Sequence, residues 1–107
     1  MKRTDKELVE DALAHLAVLN EHMRRGDLTD SVVADAVSLR LASAIDALAA
    51  TTEAFRERTF GGDWQVMRST RNRIAHGYIF IDINLIRATV EHDVPDLVNR
   101  LNRALGR

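Results

Sequence analysis

Apolar residues recur at intervals of three and four along almost the whole chain, in segments separated by glycine or helix-capping residues. The first segment carries Leu8, Ala12, Leu16, Leu19 and Met23, and the second carries Val33, Val37, Leu41, Ala44, Leu48 and Phe55. The third has a core face of Val66, Met67 and Ile74 with the polar Thr70, and the last carries Ile83, Ile86, Val90, Val94, Leu97 and Leu101. This spacing places each set on one side of a helix. We therefore predict an all-α protein, an antiparallel up-and-down bundle of about four helices.

Local signals mark the ends of the first two helices. We expect the first helix over residues 5–25, because Gly26 after two basic residues is typical of a helix end. Thr29 or Asp30 can cap the second helix. Its apolar pattern predicts that it continues to about Arg58.

The third helix follows a break at Gly61–Gly62. Asp63 can serve as its N-cap, so we expect the helix to start at Trp64. It should end near His76, because Gly77 can adopt the left-handed conformation that closes a helix.

Residues 78–81, Tyr-Ile-Phe-Ile, form an apolar stretch that has no second strand to pair with. We interpret it as a connection, after which Asp82 caps the last helix. Pro95 removes the backbone hydrogen bond to the carbonyl of Glu91. The sequence therefore predicts a kink, or two shorter helices, around Val94.

Length and charge limit what the protein can be. The chain has 107 residues, which suits a single domain over residues 1–107. Its formal net charge is -1, from 15 basic and 16 acidic side chains, so no overall field draws it to nucleic acid. Any site for a polyanion must therefore be local.

Other classes of site are disfavoured by residue type. The chain has no cysteine, which excludes disulfides and thiolate chemistry. His15, His22 and His92 are not spaced as metal ligands, and we expect neither a metal nor a cofactor. No apolar run is long enough for a membrane span or a signal peptide, so we expect a soluble, cytoplasmic protein without a membrane partner.

The densest group of basic and polar residues is 68–78, Arg-Ser-Thr-Arg-Asn-Arg-Ile-Ala-His-Gly-Tyr, at the end of the third helix. Asn72 and His76 are four residues apart and share a face, so Asn72 can orient the imidazole. Arg71 and His76 are about 140° apart on an ideal helix. They converge only if the helix unwinds at Gly77 or if a symmetric dimer brings two copies together. A dimer also supplies two histidines, which suits a reaction that needs both a general base and a general acid.

Each of these residues has a structural alternative. His76 can interact with the helix dipole, Arg71 can form a surface ion pair, and Asn72 can be a local capping group. Tyr78 can pack against the core while its hydroxyl stays in water. Arg68 and Arg73 are typical of a solvated basic rim, which would help to hold a polyanion.

Residues 71–78 resemble the Arg-Asn-x-x-x-His-x-Tyr signature of HEPN domains, specifically of the HepT family of toxins. The similarity extends to Trp64 before the motif, Asp82 after the apolar segment and Pro95 late in the last helix. One position departs from the family, which often has Gly-Glu-Ala in the second helix where this chain has Ile45-Asp46-Ala47.

This resemblance implies a toxin that is a homodimeric endoribonuclease, acting on RNA and not DNA, without a metal. In it, His76 would act as general base or acid, Arg71 would bind the phosphate, and Asn72 would position the histidine. The resemblance also implies a nucleotidyltransferase antitoxin as partner. That partner would attach AMP to the hydroxyl of Tyr78 and thereby repel and block RNA.

Two other interpretations fit the same sequence. A HEPN-like binding module could partner a nucleotidyltransferase or bind a nucleotide without cutting RNA, which the shorter Asp46 would suit. A purely structural dimerisation domain would explain the apolar stripes but not the polar group at residues 68–78.

Overall fold

The computed structural model describes residues 2–76 and 82–107. It contains helices α1 (Asp5–Arg25), α2 (Ser31–Ala49), α3 (Glu53–Phe60), α4 (Asp63–Ala75), α5 (Ile83–Ala88) and α6 (Val94–Ala104), with a π-helical turn (Thr89–Asp93) joining α5 to α6. No strand occurs in these two ranges, and the all-α prediction is confirmed. The predicted connection at 78–81 lies outside the described residues, as does Gly77.

The core is built mainly from the predicted apolar stripes, with Leu28 added from the connection between α1 and α2. Ile83, which the last stripe assigned to the core, is 37% exposed, so that assignment is wrong. The most extensive helix contact joins α1 to α2, while α6 packs on α1 and α3. The largest side chains that are fully buried are Leu16, Leu19, Leu28, Leu41, Leu48 and Leu101. Burial of each such leucine contributes about 1.5–3 kcal/mol.

Both ends of α1 follow from local chemistry. Thr4 accepts a hydrogen bond from the backbone N–H of Glu7, whose side chain in turn accepts from the backbone of Thr4. This reciprocal cap fixes the start of the helix. Gly26 ends it in an extended conformation, and a Cβ there would lie 2.7 Å from Cγ2 of Val33. A side chain at this position would therefore clash with the start of α2.

The second predicted helix is interrupted, which the apolar pattern did not indicate. The buried hydroxyl of Thr51 donates to the carbonyl of Leu48, 2.5 Å away. Thr52 then caps α3 by accepting from the backbone N–H of Phe55, at 3.2 Å. Two threonine hydroxyls thus satisfy the backbone groups that an uninterrupted helix would have paired. The stripe stays in register across the break, since Phe55 is buried.

The predicted interruption near Pro95 is confirmed and takes a specific form. The backbone N–H of Val94 donates to the carbonyl of Thr89, five residues earlier. Pro95 then lies in the first turn of α6, a position at which proline is favoured. Asp82 caps α5 as predicted, accepting from the backbone N–H groups of Asn84 and Leu85.

Helix α4 lies on the outside of the bundle, packed on α2 and α3. It has no fully buried residue, and Met67 and Ile74 are only half-buried. Val66, which the stripe assigned to the core, is 66% exposed, so that assignment is wrong. The helix also begins one residue early, because the Asp63 side chain bonds Arg100 of α6 instead of capping it.

No helix in the described part of the chain is both long enough and apolar enough to cross a membrane.

Candidate active site

The polar residues of α4 divide between two sides of the helix. A shallow, open concavity is lined by Gln65, Arg68, Ser69, Asn72, Arg73 and His76. We call it the α4 concavity. Arg71 is not part of this lining and lies on the side of α4 that faces α2.

His76 lies directly after the last residue of α4. Its backbone N–H donates to the carbonyl of Asn72 at 3.0 Å, which continues the helical pattern by one residue. Its side chain is exposed at the end of the α4 concavity. An imidazole there can exchange protons with solvent or with a bound molecule.

Arg71 is held by Asp46 on α2. The Nε atom donates to Oδ1 of Asp46 at 2.6 Å, and Nη2 donates to Oδ2 at 3.3 Å. This two-point contact of a planar guanidinium with a carboxylate fixes the orientation of both groups. The Arg71 side chain is 35% exposed, so part of it remains accessible from solvent.

The side chain of Asn72 bonds Arg71. Its Oδ1 accepts from Nη1 of Arg71 at 3.4 Å. Within residues 2–76 and 82–107 no hydrogen bond joins the Asn72 side chain to the ring of His76. The arrangement therefore links Asp46, Arg71 and Asn72 in one group and leaves the imidazole free of that group.

The structure thus brings together some of the predicted residues and separates others. Arg68, Asn72, Arg73 and His76 line one concavity, while Arg71 points toward α2. Tyr78 lies outside the described residues. The two routes by which Arg71 and His76 could converge therefore stay predictions.

The sequence did not reveal the partner of Arg71. Asp46 is 25 positions earlier, and spacing alone cannot pair residues on different helices. The only signal was the acid in the second helix, at the position where the HepT family often has glutamate. In the described residues no group of three or more His, Cys, Asp or Glu side chains is arranged to hold a metal ion.

The bundle, with the Arg-Asn-x-x-x-His motif at the end of its exposed helix, agrees with what the resemblance to HEPN domains implies. Comparison with known families specifies this further. The sequence model of the family described as "Ribonuclease HepT-like" matches residues 9–104, and the chain belongs to this family. The resemblance drawn from residues 71–78 is thereby confirmed. No curated protein and no solved structure gave a match.

Proposed function

We propose that this protein is the toxin of a toxin–antitoxin pair and that it cleaves RNA internally without a metal ion. Membership of the HepT-like ribonuclease family supports ribonuclease activity in general. The proposal adds that residues 1–107 act as one domain in the cytoplasm, with Arg71, Asn72 and His76 as the reacting group and Arg68 and Arg73 as its rim.

The observation that carries the proposal is the contact between Arg71 and Asp46. A guanidinium has five N–H donors, of which Asp46 takes two and Asn72 takes one. Within residues 2–76 and 82–107 the other two donors, one each on Nη1 and Nη2, have no partner. Donors at that end of the group match two oxygens of a phosphate. Arg71 is thus oriented by one anion while it keeps a pair of donors for another.

His76 would supply the proton transfer. In RNA cleavage the 2′-oxygen bonds to the neighbouring phosphorus while the bond from that phosphorus to the 5′-oxygen breaks. The reaction needs a base to take the proton of the 2′-hydroxyl and an acid to protonate the leaving 5′-oxygen. The exposed imidazole beside Arg68 and Arg73 is suited to the first or the second role. Arg71 would stabilise the charge that develops on the phosphate.

A homodimer would supply the second histidine and bring Arg71 of one copy toward His76 of the other. Val66 is 66% exposed and lines a groove between α4, α2 and α6, which offers an apolar contact to a second copy. Sedimentation should then give twice the mass of the chain. A fully active monomer would contradict the shared site.

The proposal is tested by incubating the protein with RNA in the presence of a chelator. Wild type should cleave, while Arg71→Ala and His76→Ala should each lose activity by about a hundredfold or more. His92→Ala is the matched control, because His92 is an exposed histidine outside the candidate site. Full activity of either site variant would overturn the assignment. Absence of cleavage by wild type would favour the non-catalytic binding module instead.

We further propose that a nucleotidyltransferase antitoxin transfers AMP from ATP to the hydroxyl of Tyr78, with release of pyrophosphate. The phosphate of an attached AMP would place negative charge two residues from His76, where it would repel RNA. Co-expression with that partner should raise the mass of the protein by whole AMP units. Tyr78→Phe should abolish the increase, and an unchanged increase would assign the modification elsewhere.

A further inference from the structure

The arginines without a partner are not spread evenly over the molecule. Five arginines form neither an ion pair nor a side-chain hydrogen bond within the described residues: Arg25, Arg58, Arg68, Arg73 and Arg103. Arg68 and Arg73 line the α4 concavity. Arg58 and Arg103 line a second concavity, so four of the five lie in just two places.

This second concavity lies between α3 and α6, and we call it the α3–α6 concavity. It is lined by Phe55, Arg58, Thr59, Arg100, Arg103 and Ala104, with no acidic residue among them. The guanidinium carbon of Arg58 lies 5.8 Å from the centre of the Phe55 ring. That cation–π contact orients the group and leaves its N–H donors free.

The third arginine of this concavity is fixed in place. Arg100 bonds Asp63 at 2.9 Å and Asp96 at 3.0 Å, and 30% of its side chain is exposed. Its charge is therefore largely compensated, whereas those of Arg58 and Arg103 are not. The charge of Arg58 contributes, as a lesser cause after the hydrogen bonds from Thr52, to the lowered pKa of Asp5.

Uncompensated cations that share one concavity repel each other, and an anion placed between them removes that cost. The chain as a whole has a net charge of -1, so this excess does not reflect general basicity. Guanidinium groups pair well with phosphate oxygens, and the hydroxyl of Thr59 adds a further donor. The chemistry of the lining thus fits a phosphate.

We propose that the α3–α6 concavity binds a phosphate of the RNA strand, away from the bond that is cut. The inference rests on the proposed ribonuclease function.

Asp63, which holds Arg100, is the first residue of α4, and His76 follows the last one. These residues are separated by about 20 Å along the helix axis, at 1.5 Å per residue. A stacked strand covers that distance with on the order of six nucleotides, at about 3.4 Å each. From Trp64 to His76, moreover, α4 has no acidic residue to repel the strand.

The experiment measures binding of a fluorescent single-stranded RNA of 20 nucleotides by anisotropy. Its 2′-hydroxyls are methylated, so that wild-type protein binds without cutting. Arg58→Gln and Arg103→Gln should each weaken binding about threefold or more. Each should also reduce the slope of log affinity against log salt concentration by about 0.7, the value for one phosphate contact on a single strand. Arg25→Gln is the matched control, since it removes an unpartnered arginine outside both concavities and should bind as wild type does.

Two further arms make the result specific. Arg58→Lys keeps the charge and should retain most of the affinity, which separates loss of a contact from loss of the fold. An RNA of about four nucleotides is too short to contact both concavities at once, so Arg58→Gln should weaken its binding less than it weakens binding of the longer strand. Equal weakening by Arg25→Gln, or wild-type binding by both Arg58→Gln and Arg103→Gln, would overturn the inference. Cleavage of unmodified RNA by wild type is measured separately. If wild type does not cut but these variants still weaken binding, the phosphate site stands and the catalytic proposal fails.

Discussion

The carboxylate of Asp46 holds one edge of the Arg71 guanidinium, with Nε 2.6 Å from Oδ1 and Nη2 3.3 Å from Oδ2. Both side chains are partly exposed, at 35% for Arg71 and 51% for Asp46. Pairs of this exposure contribute little to the free energy of folding. The contact is thus better suited to orienting Arg71 than to stabilising the bundle.

Asp46→Asn is therefore expected to lower RNA cleavage about tenfold while the thermal midpoint changes little. The amide keeps the shape of the side chain but cannot accept two charged hydrogen bonds, so Arg71 loses its fixed orientation. Asp46→Glu, which restores the residue that the HepT family often has here, should retain activity. Steady-state rates and thermal melts of the same preparations check both expectations. Glu21→Gln is the control, because it removes another exposed acid paired with an arginine. An equal loss of activity in Glu21→Gln would contradict a special role for Asp46.

Asp5 should make the bundle sensitive to acid. The backbone N–H and the hydroxyl of Thr52 donate to its carboxylate at 2.9 and 2.7 Å, and these bonds lower the pKa of Asp5. A lowered pKa in the folded state means that the stabilisation is present above the pKa of the unfolded chain. This stabilisation is lost as the pH falls below about 4 and through the pKa of Asp5 in the folded state.

Asp5→Asn should thus reduce the free energy of unfolding by about 0.5 kcal/mol at pH 7, the lower end of the range for one hydrogen bond. The difference from wild type should shrink at pH 3, where the wild-type carboxyl is itself becoming protonated. Urea unfolding at both pH values measures this. Asp35→Asn, at an exposed position on α2, should show neither effect. A difference for Asp5→Asn that grows on acidification would contradict the assignment.

Ser38 is expected to be a position where a polar group destabilises the core. Its side chain is 1% exposed, and its hydroxyl has no hydrogen-bond partner in the described part of the chain. Ser38→Ala removes that unpaired group and should raise the free energy of unfolding by up to about 1 kcal/mol. Ser43→Ala on the same helix measures the gain from helix propensity alone. Lower stability of Ser38→Ala than of Ser43→Ala would mean that the hydroxyl has a partner.

Two leucines with opposite exposure test the packing of the bundle. Leu16 is 1% exposed and Leu39 is 63% exposed. Leu16→Ala should cost about 2–5 kcal/mol of folding free energy, because it leaves a cavity among α1, α2 and their neighbours. Leu39→Ala should cost less than about 0.5 kcal/mol. Chemical denaturation of the two variants measures both losses of folding free energy. Similar losses would contradict the packing.

Much of the fold could be predicted because it depends on neighbours in sequence. The stripes on α1, α2 and α6, the end of α1 before Gly26 and the cap at Asp82 all follow from groups within one or two helical turns. The interruption near Pro95 was predictable for the same reason, since a missing N–H acts on the adjacent turn. The motif at residues 71–78 likewise indicated the family, because its residues lie on one short segment.

What the sequence by itself determined was thus most of the helices, the all-α class of the fold and the segment that carries the family motif. The tertiary structure decided which side of α4 faces α2, so that Arg71 meets Asp46 while His76 stays in the concavity with Arg68 and Arg73. It also decided that Asp63 bonds Arg100 rather than capping α4, and that Arg58 and Arg103 come together between α3 and α6. The physical reason is that the spacing of apolar residues fixes only the direction of a side chain around the axis of its own helix. The packing of the whole core sets how helices distant in sequence rotate against each other.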